Sequence, residues 1–225
     1  MAEALPSDVV ARFPGLAALD LEVCPRSSAI RAIGALRTDR EAHFRWRGDD
    51  PAEGGRRLGE YLGGAGLVVG HNLANFDLAH LEAAGGAVTQ LWHADTLWLA
   101  ALAWPEPRTL RLIKTTRAGP LGAADANDPV ADAAAALDLF GRALAVLSKT
   151  LRLQRDLAEA LHGVSCAHPA LGRGAVLSVL RGRAPPDRLS CAVAIHRLAQ
   201  GRICTAQTSV LAQLCEMATQ RCHSC

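Results

Sequence analysis

Short runs of apolar residues, or of alternating apolar and polar residues, begin the chain. They predict a sheet that starts as a series of hairpins. The first run is LAALDLEV at 16–23, an apolar strand interrupted by two acids. Two further runs, SSAIRAIGALR and EAHFRWR, continue with short alternating or apolar stretches of the same kind. Such runs are typical of neighbouring antiparallel strands. The pattern therefore predicts a β-meander at the start of the fold.

Helical and strand patterns alternate after this meander. Asp49 or Asp50 is expected to cap a helix that begins at Pro51 and stops at Gly63 and Gly64. A buried strand in GLVVG comes next, then a helix in HNLANFDLAHLEAAGG, and then a strand that runs into a helix in LWHADTLWLAALAW. Together with a long Ala- and Leu-rich helix over 129–151, this alternation indicates an α/β domain.

The last third of the chain has a different character. Helical periodicity recurs around 151–161, 174–180, 189–198 and 208–219, between breaks that carry Pro and Gly. No repeat of fixed period is visible, which argues against a solenoid. We therefore expect two domains, 1–150 as the α/β domain and 151–225 as a small helical C-terminal extension.

Composition and charge narrow the functional class. Half of the 225 residues are apolar, and 24 Lys and Arg nearly balance 22 Asp and Glu. This excludes a disordered chain and one held on nucleic acid by bulk positive charge, so any nucleic acid must be held locally. No apolar run reaches the roughly 18 residues of a membrane span, and the N-terminus does not resemble a secretory signal. We expect a cytoplasmic protein with no membrane partner, in which seven unevenly placed cysteines do not form a disulfide framework.

Two acids on the first predicted strand are the first candidate site residues. Asp20 and Glu22 are two positions apart, so their side chains leave the same face of the strand. Burial of both carboxylates without a partner would cost several kcal/mol, which suggests a cation between them. The alternative is a pair of acids on a solvated strand face.

Two more acids occupy later elements. Asp77 lies just inside the helix that follows GLVVG, and Asp132 lies one turn into the helix that begins at Pro129. Two Mg²⁺ or Mn²⁺ ions about 4 Å apart need carboxylate oxygens from separate elements, because hard cations prefer oxygen ligands. Such a pair of ions can clamp the attacking and leaving oxygens of a phosphodiester.

The order of DLE, GHNLANFD and NDPVADA resembles the three exonuclease motifs of the DnaQ-like, or DEDD, 3′→5′ exonuclease superfamily. The likeness covers residues 16–147. The phrases GHNLANFDLAHLE and NDPVADA, with DTLWL between them, are most similar to the exonuclease-like modules at the N-termini of bacterial RecQ-like helicases. The 225 residues contain no phosphate loop of a helicase motor.

The resemblance implies a ribonuclease-H-like mixed β-sheet flanked by helices, with metal ligands at four acids. Asp20 would bind both ions. Glu22 and Asp77 would be further direct metal ligands, and Asp132 would hold the second ion. The family has either a His five residues before the last acid or a Tyr four residues before it. Asn127 and Asp128 stand at those positions here. An amide cannot accept a proton at neutral pH, so Asn127 is expected to position the attacking water, and Asp128 is a candidate base or outer ligand.

The expected function is divalent-metal-dependent removal of nucleotides from a 3′ end, with single-stranded DNA as substrate and a helicase as a possible partner. One alternative is a nucleic-acid-binding or docking module that has kept its acids and lost efficient chemistry, which Asn127 favours. Another is that the acids bind no metal and the helical extension binds a protein. The sugar preference, DNA or RNA, is left open.

Other marked residues have a structural and a functional interpretation. His71 and Asn72 are expected to satisfy backbone groups at a strand-to-helix turn, with a place beside Asp77 as the alternative. Phe76 is expected in the core rather than as a base-stacking surface, and Asp95 is expected to cap a helix rather than join the site. The tryptophans Trp92, Trp98 and Trp104 are also expected in the core.

Two further groups are weaker candidates. A basic loop is either a solvated face or a guide for a single strand, and a cysteine-rich C-terminal stretch is either ordinary thiols or a zinc or iron–sulfur site. The loop residues are Arg108, Arg111, Lys114 and Arg117; the C-terminal residues are Cys204, Cys215, Cys222, His223 and Cys225.

Overall fold

A computed structural model describes residue 5 and residues 7–85, 91–104, 115–116, 119–120, 128–166 and 173–199. The chain divides into two compact units, Met1–Ala145 and Val146–Cys225. The first unit is a mixed α/β domain with a five-stranded sheet flanked by helices, and the described part of the second unit is helical. The α/β class is therefore confirmed.

The sheet of the first unit has the order β3-β2-β1-β4-β5. Strand β1 lies at its centre, antiparallel to β2 and parallel to β4. Strand β3 is antiparallel to β2, and β5 is parallel to β4. The predicted opening meander is confirmed. The strands are β1 (Ala17–Val23), β2 (Ile30–Arg37), β3 (Phe44–Arg47), β4 (Val68–Gly70) and β5 (His93–Asp95), with a separate antiparallel pair β6 (Thr115–Thr116) and β7 (Gly119–Pro120).

The second helix of the first unit begins where its capping residue predicts. The side chain of Asp50 accepts hydrogen bonds from the backbone N–H groups of Ala52 and Glu53, and Pro51 begins the helix. Gly63 follows its last residue, as predicted. The helices are α1 (Ser7–Arg12), which the sequence analysis did not predict, α2 (Pro51–Leu62), α3 (Asp77–Ala83), α4 (Thr96–Ala103) and α5 (Pro129–Leu153), which continues into the second unit.

The two faces of β1 have different surroundings. Leu19 and Leu21 alternate with the two acids and face the apolar core, where Leu58 and Leu62 of α2 are fully buried. The first turn of α5 packs on the opposite face, against β2. This alternation puts apolar packing on one side of β1 and its acids on the other.

The second unit contains three described helices after the end of α5. They are α6 (Arg155–Ser165), α7 (Arg173–Arg181) and α8 (Arg188–Ala199). Three of the four helical periodicities are thus confirmed, and 208–219 lies outside the described residues. Ala160, Cys191, Ala194 and Ile195 form a small buried cluster between α6 and α8. Among the described helices, none is both long and apolar enough to cross a membrane.

Candidate metal centre

Three of the four candidate acids come together on one face of the sheet. Asp20 and Glu22 leave the same face of β1, and Asp132 comes from the first turn of α5. One carboxylate oxygen from each lies within 4.8 Å of the other two. Asp132 is buried, and the two strand acids are half-buried. Oxygens this close together can bind one hard divalent cation.

Gly34 explains how α5 comes so close to β1. Gly34 pairs with Asp20 across the β1–β2 ladder, so both lie on the same face of the sheet. A Cβ atom at this position would lie 2.3 Å from the backbone carbon of Pro129 and 2.3 Å from the backbone nitrogen of Val130. Only a residue without a side chain allows this contact. The contact places the first turn of α5, with Asp132, beside the strand acids.

Arg45 and Asp128 hold the same end of α5 in a second way. Two guanidinium nitrogens of Arg45 donate to the two carboxylate oxygens of Asp128, at 2.6 and 3.1 Å. The same carboxylate accepts a hydrogen bond from the backbone N–H of Val130 and caps the helix. The Arg45 guanidinium lowers the pKa of Asp128 below its usual range. This environment stabilises Asp128 as the anion that caps α5. Because a carboxylate with a lowered pKa accepts a proton less readily, Asp128 is a weaker candidate for the general base.

Asp77 contacts β1 at the backbone of Leu21, although its carboxylate does not belong to the set of oxygens within 4.8 Å. It is the first residue of α3 and only 2% exposed. Its carboxyl group is hydrogen-bonded to the backbone of Leu21. Burial, with a smaller contribution from the charge of Asp95, raises the pKa of Asp77 to about 7.

Asp95 is a capping residue, as predicted, and also supports the turn before α3. Its carboxylate accepts hydrogen bonds from the backbone N–H of Leu97 at 2.9 Å, of Asn72 at 2.9 Å and of Ala74 at 3.1 Å. Asn72 has a φ of 62°, a conformation that asparagine tolerates better than most residues. Asp95 thus fixes the turn that positions Asp77.

His71 takes part in the same turn. The Thr96 hydroxyl donates to the carbonyl of Gly70 at 3.1 Å, and Nδ1 of His71 lies 3.0 Å from that hydroxyl oxygen. Because the hydroxyl proton is already used, Nδ1 of His71 is the donor in this bond. The turn residues therefore bind one another through side chains as well as through the backbone.

Two aromatic residues that the sequence placed in the core are exposed. Phe76 is 39% exposed and Trp92 is 45% exposed, so the core assignment was wrong for both. Phe76 precedes the first residue of α3. It therefore does not follow the helical spacing that buries Leu78. Its ring lies 4.5 Å from the ring of His80. The other two tryptophans, Trp98 and Trp104, are half-buried.

Several candidates lie outside the described residues. They include Asn127, expected to position water, the basic loop residues, and the cysteine-rich C-terminal group. Their assignments stay predictions. These residues are Asn127, Arg108, Arg111, Lys114, Arg117, Cys204, Cys215, Cys222, His223 and Cys225.

The sequence analysis missed the residues that bring α5 to the sheet. The signal was present in part, since Ala32 and Gly34 are small residues two apart on one strand, and Arg45 and Arg47 are two apart on the next. Their meaning depends on the cross-strand register, which pairs Gly34 with both Asp20 and Arg45. No local pattern specifies that register.

Protein-family models, curated proteins and solved structures were all compared with this chain, and none of them matches it. The functional argument therefore depends on the residues and their arrangement.

Proposed function

We propose that this protein is a divalent-metal-dependent 3′→5′ exonuclease that acts on nucleic acid, with single-stranded DNA as its substrate. The observation that carries the proposal is the approach of oxygens from Asp20, Glu22 and Asp132 to within 4.8 Å of one another. Asp20 and Glu22 belong to the central strand, and Asp132, more than a hundred residues later in the chain, belongs to a packed helix. The motif order that led to these acids is the second support.

The donor set fits Mg²⁺ or Mn²⁺. All three side chains offer carboxylate oxygens, which hard cations prefer, and three neighbouring negative charges repel one another unless a cation lies among them. When bound, two such ions would lower the pKa of a water molecule and stabilise the charge on the phosphoryl oxygens. We also propose the finer fold class, ribonuclease-H-like, because Asp20 and Glu22 lie on the central strand of a mixed sheet and Asp132 on a helix packed against it.

Each acid has a distinct proposed role. Asp20, at the middle of β1, would bridge the two ions, with Glu22 on the same side of the strand. Asp132 would hold the second ion from α5. Asp77 would complete the group from its position at the backbone of Leu21. Asn127 would orient the attacking water by hydrogen bonding, since its amide cannot remove a proton.

The test is cleavage of a single-stranded oligonucleotide in Mn²⁺, labelled at its 3′ end in one reaction and at its 5′ end in another. We expect a 5′-labelled ladder that shortens from the 3′ end, and immediate loss of the 3′ label as mononucleotide. Asp20→Ala should abolish both signals. Glu60→Ala, which removes an acid from the exposed face of α2, is the matched control and should cleave normally.

The second candidate function is a nucleic-acid-binding or docking module without efficient catalysis, with a helicase as a possible partner. The observation that favours it is the absence of a good base at the third motif. Asn127 is an amide, and the carboxylate of Asp128 is held by Arg45 with a lowered pKa. Binding of the same oligonucleotide without shortening would favour this function over the exonuclease.

A further inference from the structure

An open cavity of about 600 Å³ lies beside the candidate metal centre. Glu22 belongs to both, because it lines the cavity and also offers one of the three neighbouring carboxylate oxygens. The opposite wall contains Arg47, and Ala32 lies between them. A ligand bound at the carboxylates can therefore continue directly into this cavity.

The sheet register explains why the cavity is open at this point. Glu22 pairs with Ala32, and Ala32 pairs with Arg47, so the three residues form a row across β1, β2 and β3. Paired residues project from the same face of a sheet. The small side chain of Ala32, which is 3% exposed, lines the cavity between the other two. With adjacent strands about 5 Å apart, the Cα atoms of Glu22 and Arg47 are separated by roughly 10 Å.

The neighbouring row has the same three kinds of residue, an acid, a small residue and an arginine, but another part of the protein packs on it. It consists of Asp20, Gly34 and Arg45. There the first turn of α5 packs on Gly34, and Arg45 binds the carboxylate of Asp128. In this row the arginine of β3 binds an anion, and Arg47 holds the equivalent place in its own row.

The other charged side chains of the cavity wall leave Arg47 available. Arg31 is hydrogen-bonded to Asp49, so these two charges balance each other. Among the described residues, Arg47 is exposed and no carboxylate lies within ion-pair distance of it. A guanidinium in this position can bind the oxygens of a phosphate with two donors at once.

We propose that Arg47 binds a backbone phosphate of the nucleic-acid strand whose scissile phosphate lies at Asp20, Glu22 and Asp132. This inference rests on the proposed function and names the residue that holds the strand beside the metal centre. Arg47 is a binding residue for a phosphodiester, and the strand would reach it through the cavity that Glu22 and Arg47 line.

The test is the affinity of a 5′-fluorescein oligothymidylate measured by anisotropy at several salt concentrations, in EDTA so that the strand stays intact. We expect Arg47→Ala to weaken binding about tenfold at low salt. The slope of log affinity against log salt should become shallower by about 0.7, the value for one phosphate contact on a single strand. Arg47→Lys should keep the slope while losing part of the affinity.

Arg56→Ala is the matched control, because it removes the same charge from an exposed helix side chain that pairs with Glu53 and Glu60. It should leave affinity and slope unchanged. An equal loss in Arg56→Ala and Arg47→Ala would overturn the inference, since it would show a response to net charge alone. An Arg47→Ala variant that binds like the wild type would also overturn it.

A chemical footprint locates the strand independently. Cys24 lines the cavity, whereas Cys166 lies in the second unit. We expect oligothymidylate to slow alkylation of Cys24 by iodoacetamide, followed by peptide mass spectrometry, and to leave Cys166 unchanged. Equal alkylation of Cys24 with and without the strand would contradict a strand in the cavity.

These measurements separate the two proposals. Cleavage in Mn²⁺ that depends on Asp20 but binding that ignores Arg47 would keep the exonuclease and reject the phosphate contact. Binding that depends on Arg47, without any cleavage, would keep the contact and reject the exonuclease. A wild-type protein that neither binds oligothymidylate at low salt nor shortens it in Mn²⁺ would reject both.

Discussion

Each unit of this protein contains a cluster of polar side chains, and the two clusters have opposite designs. In the first unit, three carboxylates lie within 4.8 Å of one another. In the second unit, the buried carboxylate of Glu159 lies between two guanidinium groups, 2.7 Å from Arg181 and 3.1 Å from Arg183. Like charges converge in one cluster, whereas opposite charges pair in the other.

The second cluster also contains a Ser and a His that superficially suggest a nucleophile and its base. Nε2 of His162 lies 2.8 Å from the hydroxyl oxygen of Ser178, which donates to the carbonyl of Gly174. Arg181 lies 2.7 Å from Nδ1 of His162 and can only donate there. The proton of the neutral ring is therefore on Nε2, which donates to Ser178 and cannot remove its proton.

The comparison teaches that the arrangement of charges separates a structural cluster from a ligand site. In the second unit the Oε1 atom of Glu159 already contacts two guanidinium groups, so the charge of this carboxylate gains little from a further cation. Converging like charges gain most from a bound cation. The polar cluster of the second unit therefore holds α6 and α7 together, and the acidic cluster of the first unit is the candidate for chemistry.

The largest expected effect is on catalysis at the acidic cluster. Asp132→Asn keeps the shape of the side chain and removes one of the three converging charges. We expect Mn²⁺-dependent cleavage to fall by about 10²-fold or more, a loss larger than that for residues that only support a ligand. Single-turnover rates measure it. Asp138→Asn, on the same helix but paired with Arg142, should cleave at the wild-type rate; similar losses in both variants would place the effect in the helix rather than the metal centre.

The second prediction concerns pH and the polar cluster of the second unit. Burial and the charge of Arg181 lower the pKa of His162 from 6.5 to about 4. The unfolded chain therefore takes up a proton at a higher pH than the folded chain. The stability due to neutral His162 is complete above pH 6.5 and is lost as the pH falls toward 4, by about 3 kcal/mol.

Denaturant unfolding of wild type and His162→Gln between pH 7 and pH 4 measures this contribution. We expect the free energy of unfolding of the wild type to fall more steeply, so that the two proteins approach each other in acid. Parallel curves would show that His162 is not held neutral by Arg181 and its buried position.

The third prediction concerns the contact that builds the acidic cluster. A methyl group at Gly34 would meet the backbone of Pro129 and Val130 at 2.3 Å. We expect Gly34→Ala to lower the free energy of unfolding by about 2 kcal/mol and to weaken Mn²⁺ binding, because the first turn of α5 must move. Gly59→Ala is the control, since nothing lies within 4 Å of a Cβ there. It should stabilise α2 by about 0.5–1 kcal/mol, and a loss in both variants would contradict the close contact.

The smallest predicted effect distinguishes capping from catalysis at Asp128. Asp128→Ala removes the cap of α5 and its ion pair with Arg45, and we expect it to lower stability by about 1 kcal/mol. Arg45→Ala should lower it less, because the side chain of Arg45 is 61% exposed. The cleavage rate of Asp128→Ala should change only a few fold. A 10²-fold loss would instead identify Asp128 as the base.

Local signals in the sequence were sufficient for most of the described elements and for the shared strand face of Asp20 and Glu22, whereas the order of the motifs was needed to add Asp132. The period-2 spacing of Asp20 and Glu22, the capping side chain before Pro51 and the Ala-rich run from Pro129 each act within one element. Such signals depend on neighbours in the chain, which the sequence shows directly.

Features that depend on contacts between distant elements could not be predicted from the sequence. The role of Gly34 arises from α5, about a hundred residues later, and the cavity arises from the pairing of Glu22, Ala32 and Arg47 across three strands. The exposure of Phe76 depends on where α3 begins. Each requires the strand register or an exact helix boundary, and neither follows from local periodicity.

The most direct test of the metal centre is calorimetric titration of the protein with Mn²⁺. We expect saturable uptake by the wild type, no uptake by Asp20→Asn, and wild-type uptake by Glu60→Gln, which removes an exposed acid from α2. Absence of Mn²⁺ binding to the wild type, or equal binding to Asp20→Asn, would contradict a cation site formed by Asp20, Glu22 and Asp132.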